Sequence, residues 1–233
     1  MKGTLVNTAT VIIGSSLGLY LGARLKEPVR KIMVQGVALS TILIGIKMGL
    51  EVKNFLIVIA SIVIGGALGE IWRIEDGIAN IGKYIENKIG GRGGEDFVKG
   101  FVLASVIFCV GPMTILGCIQ DGLKGDPNIL YVKSTLDGLT SIMLSSTLGF
   151  GVIFSSIIVL LFQGGLTLLS SFLRFLTEGD ILANFTSVGG LIIIAIGIRM
   201  LEIKEIKVGN FLPSLLIVVL LNYGVQIIGS IVR

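Results

Sequence analysis

Seven stretches of this chain contain no aspartate, glutamate, lysine or arginine: Gly3–Ala23, Ile32–Ile46, Asn54–Gly69, Gly100–Gln120, Gly138–Leu173, Ile181–Ile198 and Val208–Val232. Most approach the ~20 apolar residues that a helix needs to cross ~30 Å of hydrocarbon, and the shorter ones gain length when flanking Lys or Arg side chains snorkel. With 53% hydrophobic and only 15% charged residues the chain reads as an integral membrane protein. Gly3–Ala23 has no basic leader and no small-residue cleavage site, and carries Asn7, Thr8, Thr10, Ser15 and Ser16. It reads as a retained first span and not as a signal peptide.

Gly138–Leu173 is 36 residues long, a helix of ~54 Å and too much for one crossing. It divides in two, with breaks available near Gly149-Phe150-Gly151 and at Gln163-Gly164-Gly165. The expected fold is therefore all-α, a polytopic helix bundle of about eight spans, seven if that division fails. Arg24, Lys26, Arg30 and Lys31 follow the first span and belong in the cytoplasm by the positive-inside rule, which sets the N-terminus outside.

Between Arg73 and Lys99, Ile74, Ile78, Ile81, Ile85 and Ile89 recur every three or four residues among charged ones, which predicts one amphipathic helix with GGRGGED as its exit. It lies on the inner membrane surface or against the bundle, and a partner-binding role is the alternative. Leu43-Ile44-Gly45-Ile46-Lys47-Met48 is echoed by Ala195-Ile196-Gly197-Ile198-Arg199-Met200, and each echo is followed by Asn-Phe-Leu, at Asn54 and at Asn210. On this reading one integral membrane domain, 1–233, comprises a three-span repeat over 1–72, the amphipathic helix and loop over 73–99, central spans over 100–157 and an inverted three-span repeat over 158–233.

The polar residues concentrate between Ile107 and Ser141, where Asp121, Asp126 and Asp137 are joined by Gln120, Lys124, Lys133 and Ser134. Lys133, Asp137 and Ser141 share one helix face, with Ser134 beside them. Asp137 is expected to open the fifth span, either as a helix-end charge paired to Lys133 or as a carboxylate facing an ion path. Asp121 and Asp126 read as turn residues of QDGLKGDPN or as part of the same site. Gly111, Pro112 and Thr114 mark a break within the fourth span, of the kind that frees backbone groups for a ligand. Asn7, Gln163, Thr167 and Asn222 are either interhelical glue or, with Asp137, an oxygen-rich lining. Lys47 and Arg199 sit near span ends and are expected to snorkel.

Other chemistries lack their residues. There is no histidine, and Cys109 and Cys118, nine apart, fall on opposite sides of one helix, so they cannot form an intrahelical disulfide and read as packing residues. No metal site and no cofactor are expected. Hydrolase, P-loop and dinucleotide-binding signatures are missing, so no catalytic residues and no enzyme are expected. The net charge of +4 comes without a basic, aromatic-interleaved stripe, and nucleic acid is not an expected partner. The expected partners are the lipid bilayer, a small solute or ion, and a second copy of the chain docked on the Gly14/Gly18/Gly22 stripe.

At Gly111–Asp126 (GPMTILGCIQDGLKGD), Lys133–Ser141 (KSTLDGLTS), Leu148–Ser155 (LGFGVIFS) and Phe162–Ser171 (FQGGLTLLSS) the chain resembles the bacterial inner-membrane family of domain of unknown function 554, the YdfK/YqgA-like proteins. The opening GTLVN and the later SVGGLIIIAIGIRML fit it too, so the likeness covers essentially the whole chain. The resemblance implies a multi-pass bacterial plasma-membrane protein and allows a transporter; it carries no substrate. A transporter or channel for an ion or small polar solute is the leading expectation, and a scaffold or sensor acting through the amphipathic helix is the alternative.

Overall fold

The computed structural model describes residues 1–88, 94–177 and 179–231. Ile89 and the Gly90–Gly93 part of the GGRGGED exit lie outside the described residues. Among the described residues the regular structure is entirely helical: α1 (Lys2–Gly22), α2 (Glu27–Gly49), α3 (Phe55–Trp72), α4 (Ile74–Lys88), α5 (Gly94–Cys109), α6 (Pro112–Lys124), α7 (Asn128–Leu148), α8 (Gly151–Leu168), α9 (Gly179–Met200) and α10 (Ser214–Ile231), with 3-10 turns at Arg174–Thr177 and Val208–Phe211. Six of these, α1, α2, α3, α8, α9 and α10, supply segments long and apolar enough to cross a membrane, and α5 with α6 forms a seventh bent by 61°. The chain separates into two compact units, Met1–Leu39 with Ile78–Arg174 and Ser40–Gly77 with Phe175–Arg233.

In the first unit α1 and α7 run parallel in close contact. Gly3 meets Leu130, Gly14 meets Gly138 and Ser141, Gly18 meets Ile142 and Ser145, and Gly22 meets Ser146. A Cβ on Gly18 would stand 2.2 Å from the Ile142 carbonyl oxygen and one on Gly14 2.4 Å from that of Gly138. The glycine stripe of α1 is therefore filled by α7 of the same chain, and it offers no face to a second copy. α8 returns antiparallel, with Thr4 opposite Thr167 and Asn7 opposite Gln163. Apolar side chains turn outward and polar ones inward on α1: Leu5, Ile13 and Leu17 are exposed while Thr4, Asn7 and Ser15 are buried. That is the reverse of a soluble core and suits a helix with lipid around it.

The long charge-free segment does divide, at Gly149, whose φ of 82° suits glycine and separates α7 from α8. α7, however, starts at Asn128, so Asp137 lies near its middle and does not open a span. Lys133, Asp137 and a run of hydroxyl residues make α7 less apolar than the other long helices, yet it lies alongside α1 from Leu130 to Ser146, almost the whole length of a helix able to span.

The break expected at Gly111-Pro112 is present, and Gly111 holds a φ of 156° that other residues rarely adopt. The two arms reach opposite ends of α8: Phe97 of α5 packs against Gly151 and Phe154, whereas Gly122 of α6 packs against Thr167 and Ser170. The bent pair thus runs the length of α8 and does not turn back as a re-entrant loop. The amphipathic α4 lies against this bundle, with Ile78 and Ile85 packed on the cluster of Phe97, Phe101 and Val102 that Phe154 and Ile158 of α8 also cover, while Ile81 and Tyr84 are exposed.

In the second unit α3, α9 and α10 pack through small residues, with Gly65 against Ser214 and Gly45 of α2 against Gly190 of α9. Asn184 carries much of the polar wiring: its Oδ1 accepts from the Lys53 and Asn54 amides, both at 2.9 Å, and its Nδ2 donates to Asn222 Oδ1 at 2.9 Å. Asn222 in turn donates to the Val218 carbonyl. Arg199 does more than snorkel, because its Nη1 pairs with buried Glu75 at 2.5 Å while the Gly209 amide donates to the other Glu75 oxygen at 2.7 Å. The repeated Asn-Phe-Leu motifs differ in their roles: Asn54 caps its own helix α3, whereas Asn210 accepts from the Glu75 amide at the start of α4.

Candidate functional site

The polar core of the first unit starts from a missing hydrogen. In an uninterrupted helix the amide of residue 112 would donate to the Phe108 carbonyl, but Pro112 has no N–H and Phe108 is left with a free acceptor in a buried segment. Lys133 of α7 takes it, its Nζ donating to Phe108 O at 2.8 Å. The same ammonium is ion-paired to Asp137 one helical turn further along α7. Both side chains are nearly enclosed, Lys133 being 6% and Asp137 9% exposed. Burying two such charges is costly unless each is paired and hydrogen-bonded, and here both conditions hold.

α1 and α8 complete the cluster. Asn7 Nδ2 donates to Asp137 Oδ2 at 2.9 Å and to Gln163 Oε1 at 2.9 Å. Gln163 is tied in through its backbone as well, its carbonyl accepting from Thr167 Oγ1 at 2.8 Å and from Cys118 Sγ at 3.3 Å. Thr4 Oγ1 and Thr167 Oγ1 share a hydrogen bond on the next turn. Yet Asn7 Oδ1 and Gln163 Nε2 are buried with no hydrogen-bond partner among the described residues. In a low-dielectric core each such group costs about 1–3 kcal/mol, which is strong pressure for a partner.

The sequence candidates sort as follows. Asn7, Lys133, Asp137, Gln163 and Thr167 come together, with the Gly111-Pro112 break beside them. Thr114 is buried, its hydroxyl at 3.5 Å from the same Phe108 carbonyl. Ser134 and Ser141 donate to their own helix at Leu130 and Gly138, and Ser141 fits against Gly14. Gln120 turns away to Asp126, at 2.6 Å. Asp126 does behave as a turn residue, accepting also from the Asn128 amide at 3.1 Å. Asp121 does not: it is a buried helical residue of α6 that accepts from the Gly3 amide at 3.1 Å and pairs with the Met1 ammonium at 2.8 Å, so it caps the start of α1. Asn222 belongs to the second unit, where it accepts from Asn184. Thr4, Cys118 and the Phe108 carbonyl are participants that residue type alone does not reveal. Thr4 had a signal, since it stands three residues before Asn7 on the buried stripe of α1.

Apolar helices with lipid-suited outer faces around a charged pair and interlocked amides define a multi-pass helical membrane protein. The chain belongs to the family described as protein of unknown function (DUF554), which matches residues 2–223. It is 33% identical over 221 residues to the uncharacterized membrane protein YdfK of Bacillus subtilis (strain 168), covering 93% of each chain. It is 32% identical over 222 residues to the uncharacterized protein YqgA of Escherichia coli (strain K12), covering 92% of this chain and 93% of that one. No solved structure matches.

Proposed function

We propose that this protein is a transporter or channel for an ion or small polar solute in the bacterial plasma membrane, and that its site is the Asn7, Lys133, Asp137, Gln163 cluster. One observation carries the reading: a charged pair sits in mid-helix beside a broken helix, with a buried acceptor and a buried donor next to it that no described residue satisfies. Ionisable groups at such depth are expensive, and binding or conducting a solute is the commonest reason to keep them. The proposal includes eight crossings, because α7 lies along α1 and the bent pair runs the length of α8. The inverted relation of 1–72 to 158–233 is supported by the sequence echo alone. A homodimer would have to use a face other than the Gly14/Gly18/Gly22 stripe. The scaffold or sensor reading keeps only the exposed Ile81 and Tyr84 of α4, since Ile78 and Ile85 are already packed. The test is flux into proteoliposomes for a panel of alkali cations, anions and small polar organic solutes. Flux of at least one panel member that Asp137→Asn abolishes is the expected result, and no flux for any would overturn the reading.

A further inference from the structure

The charged and the unpartnered polar functions around Asp137 divide evenly by sign. Two offer hydrogens or positive charge, the Lys133 ammonium and Gln163 Nε2; two accept, the Asp137 carboxylate and Asn7 Oδ1. The charged members hold each other, while the neutral members, on side chains 0% and 1% exposed, have no partner among the described residues. The amide orientations are fixed by their neighbours: turning Asn7 over would set its oxygen against the Asp137 carboxylate, and turning Gln163 over would set its NH2 against that of Asn7.

A ligand for this cluster has to respect its charge balance. Lys133 and Asp137 cancel, so a lone cation or a lone anion would leave a net charge buried, and a neutral solute that parted them would leave two unpaired charges. We infer that the site takes a small zwitterion, a solute whose ammonium and carboxylate lie a few bonds apart, an inference that rests on the solute-site reading above. Such a molecule inserts between Lys133 and Asp137 with every charge still paired. Its carboxylate receives the Lys133 ammonium and Gln163 Nε2, and its ammonium donates to Asp137 and to Asn7 Oδ1. Both partnerless groups are then used, each with the correct polarity. The enclosure of Lys133 and Asp137 favours a solute of glycine or alanine size. At Gly164, where α8 passes Met1 and Thr4, a Cβ would find ordinary contact at 3.7 Å, whereas one on Gly18 against α7 would collide at 2.1 Å.

The experiment is thermal unfolding of the full chain in lipid nanodiscs with glycine, L-alanine, methylammonium, acetate or acetamide at equal concentration. Trimethylglycine, a zwitterion with no N–H donor, controls for general stabilisation by excluded osmolytes. Glycine or alanine should raise the unfolding temperature, and methylammonium, acetate and acetamide should not exceed the baseline set by trimethylglycine. Lys133→Met and Asp137→Asn should each remove the glycine effect. Should either fail to fold, Gln163→Leu leaves the charged pair intact and should weaken glycine about tenfold through loss of one hydrogen bond to a charged group. Stabilisation by acetamide or by a single-charge probe without any by glycine or alanine would overturn the zwitterion and leave the solute-site reading standing. No stabilisation by any probe would also overturn it, with a water bridging Asn7 and Gln163, and the flux panel would then decide the broader reading separately.

Discussion

The Lys133 ammonium donates to the Phe108 carbonyl, the acceptor that Pro112 deprives of its helical donor. Break and charge are thus one device: the proline supplies an acceptor at membrane depth, and the lysine that fills it is the one paired to Asp137. Pro112→Ala returns an amide to compete for Phe108 O and removes the ring clash, so α5 and α6 should straighten. Spin labels at exposed Asp96 and Leu123 should then move apart by roughly 5 Å, given arms of this length. An unchanged distance would place the cause of the bend elsewhere, in Gly111 first.

Asp121 should matter to folding and Asp126 should not. Asp121 accepts the Gly3 amide at the positive end of α1 from a buried position, whereas Asp126 closes a half-buried turn. Asp121→Asn should cost about 1 kcal/mol through loss of the charged cap. Asp126→Asn, which keeps its turn chemistry, should change the unfolding temperature by no more than measurement error.

A bulky residue at Gly18 tests packing within the chain. The backbone of α7 passes so close that Gly18→Leu cannot be relieved by side-chain rotation alone, since beyond Ser145 Oγ at 2.1 Å its Cβ meets the Ile142 carbonyl oxygen at 2.2 Å. The cost should exceed the ~1–3 kcal/mol of ordinary overpacking and appear as lost expression of folded protein. A folded Gly18→Leu protein with altered oligomeric state alone would contradict the α1–α7 contact.

What the sequence showed and what it hid both follow from the range of the interactions. The stripe Gly14, Gly18, Gly22 was legible as one helix face, because its spacing is a local property of α1, but that α7 of the same chain fills it was not. Pro112 and Gly149 were legible for the same reason. Asp121 was not, since Gly and Asp around it suggest a turn and only α1 standing opposite makes the residue a helical cap. Asp137 was misplaced because the charge-free run after it looks like the start of a span, whereas hydrogen bonding carries α7 back through Lys133 to Asn128. Nothing local separates Asn222 from Asn7: both are amides inside apolar helices, and only tertiary packing assigns one to Asn184 and the other to Asp137.

In the second unit the Glu75–Arg199 pair should be structural. Glu75 also accepts the Gly209 amide, so Glu75→Leu leaves half-buried Arg199 with only the distant Glu205 and strands a backbone donor as well. Removing one member of a buried pair costs about 3 kcal/mol or more, and Glu75→Leu with Arg199→Met should recover most of that loss. Recovery is read from the unfolding temperatures of the two single variants and the double. A double variant no better than the worse single would mean the two side chains do not act as a pair.

The charged pair of the first unit invites the same cycle with a different expectation. Asp137→Asn leaves the Lys133 ammonium facing an amide and the Phe108 carbonyl, and should cost about 3 kcal/mol, far more than Asp126→Asn in its turn. Joining Lys133→Met with Asp137→Leu replaces both charges by apolar groups of similar reach, and such swaps are often neutral or stabilising. If the pair only glues α7 to α1 and α5, this double variant should match the wild type in stability and in flux. If the pair is the heart of a solute site, the double variant should be as stable as the wild type and inactive, because the groups that recognise the solute are gone while the fold they cost is relieved. Stability is measured in nanodiscs and flux in proteoliposomes from one preparation. A stable double variant that still carries solute at the wild-type rate would remove Asp137 and Lys133 from the transport site.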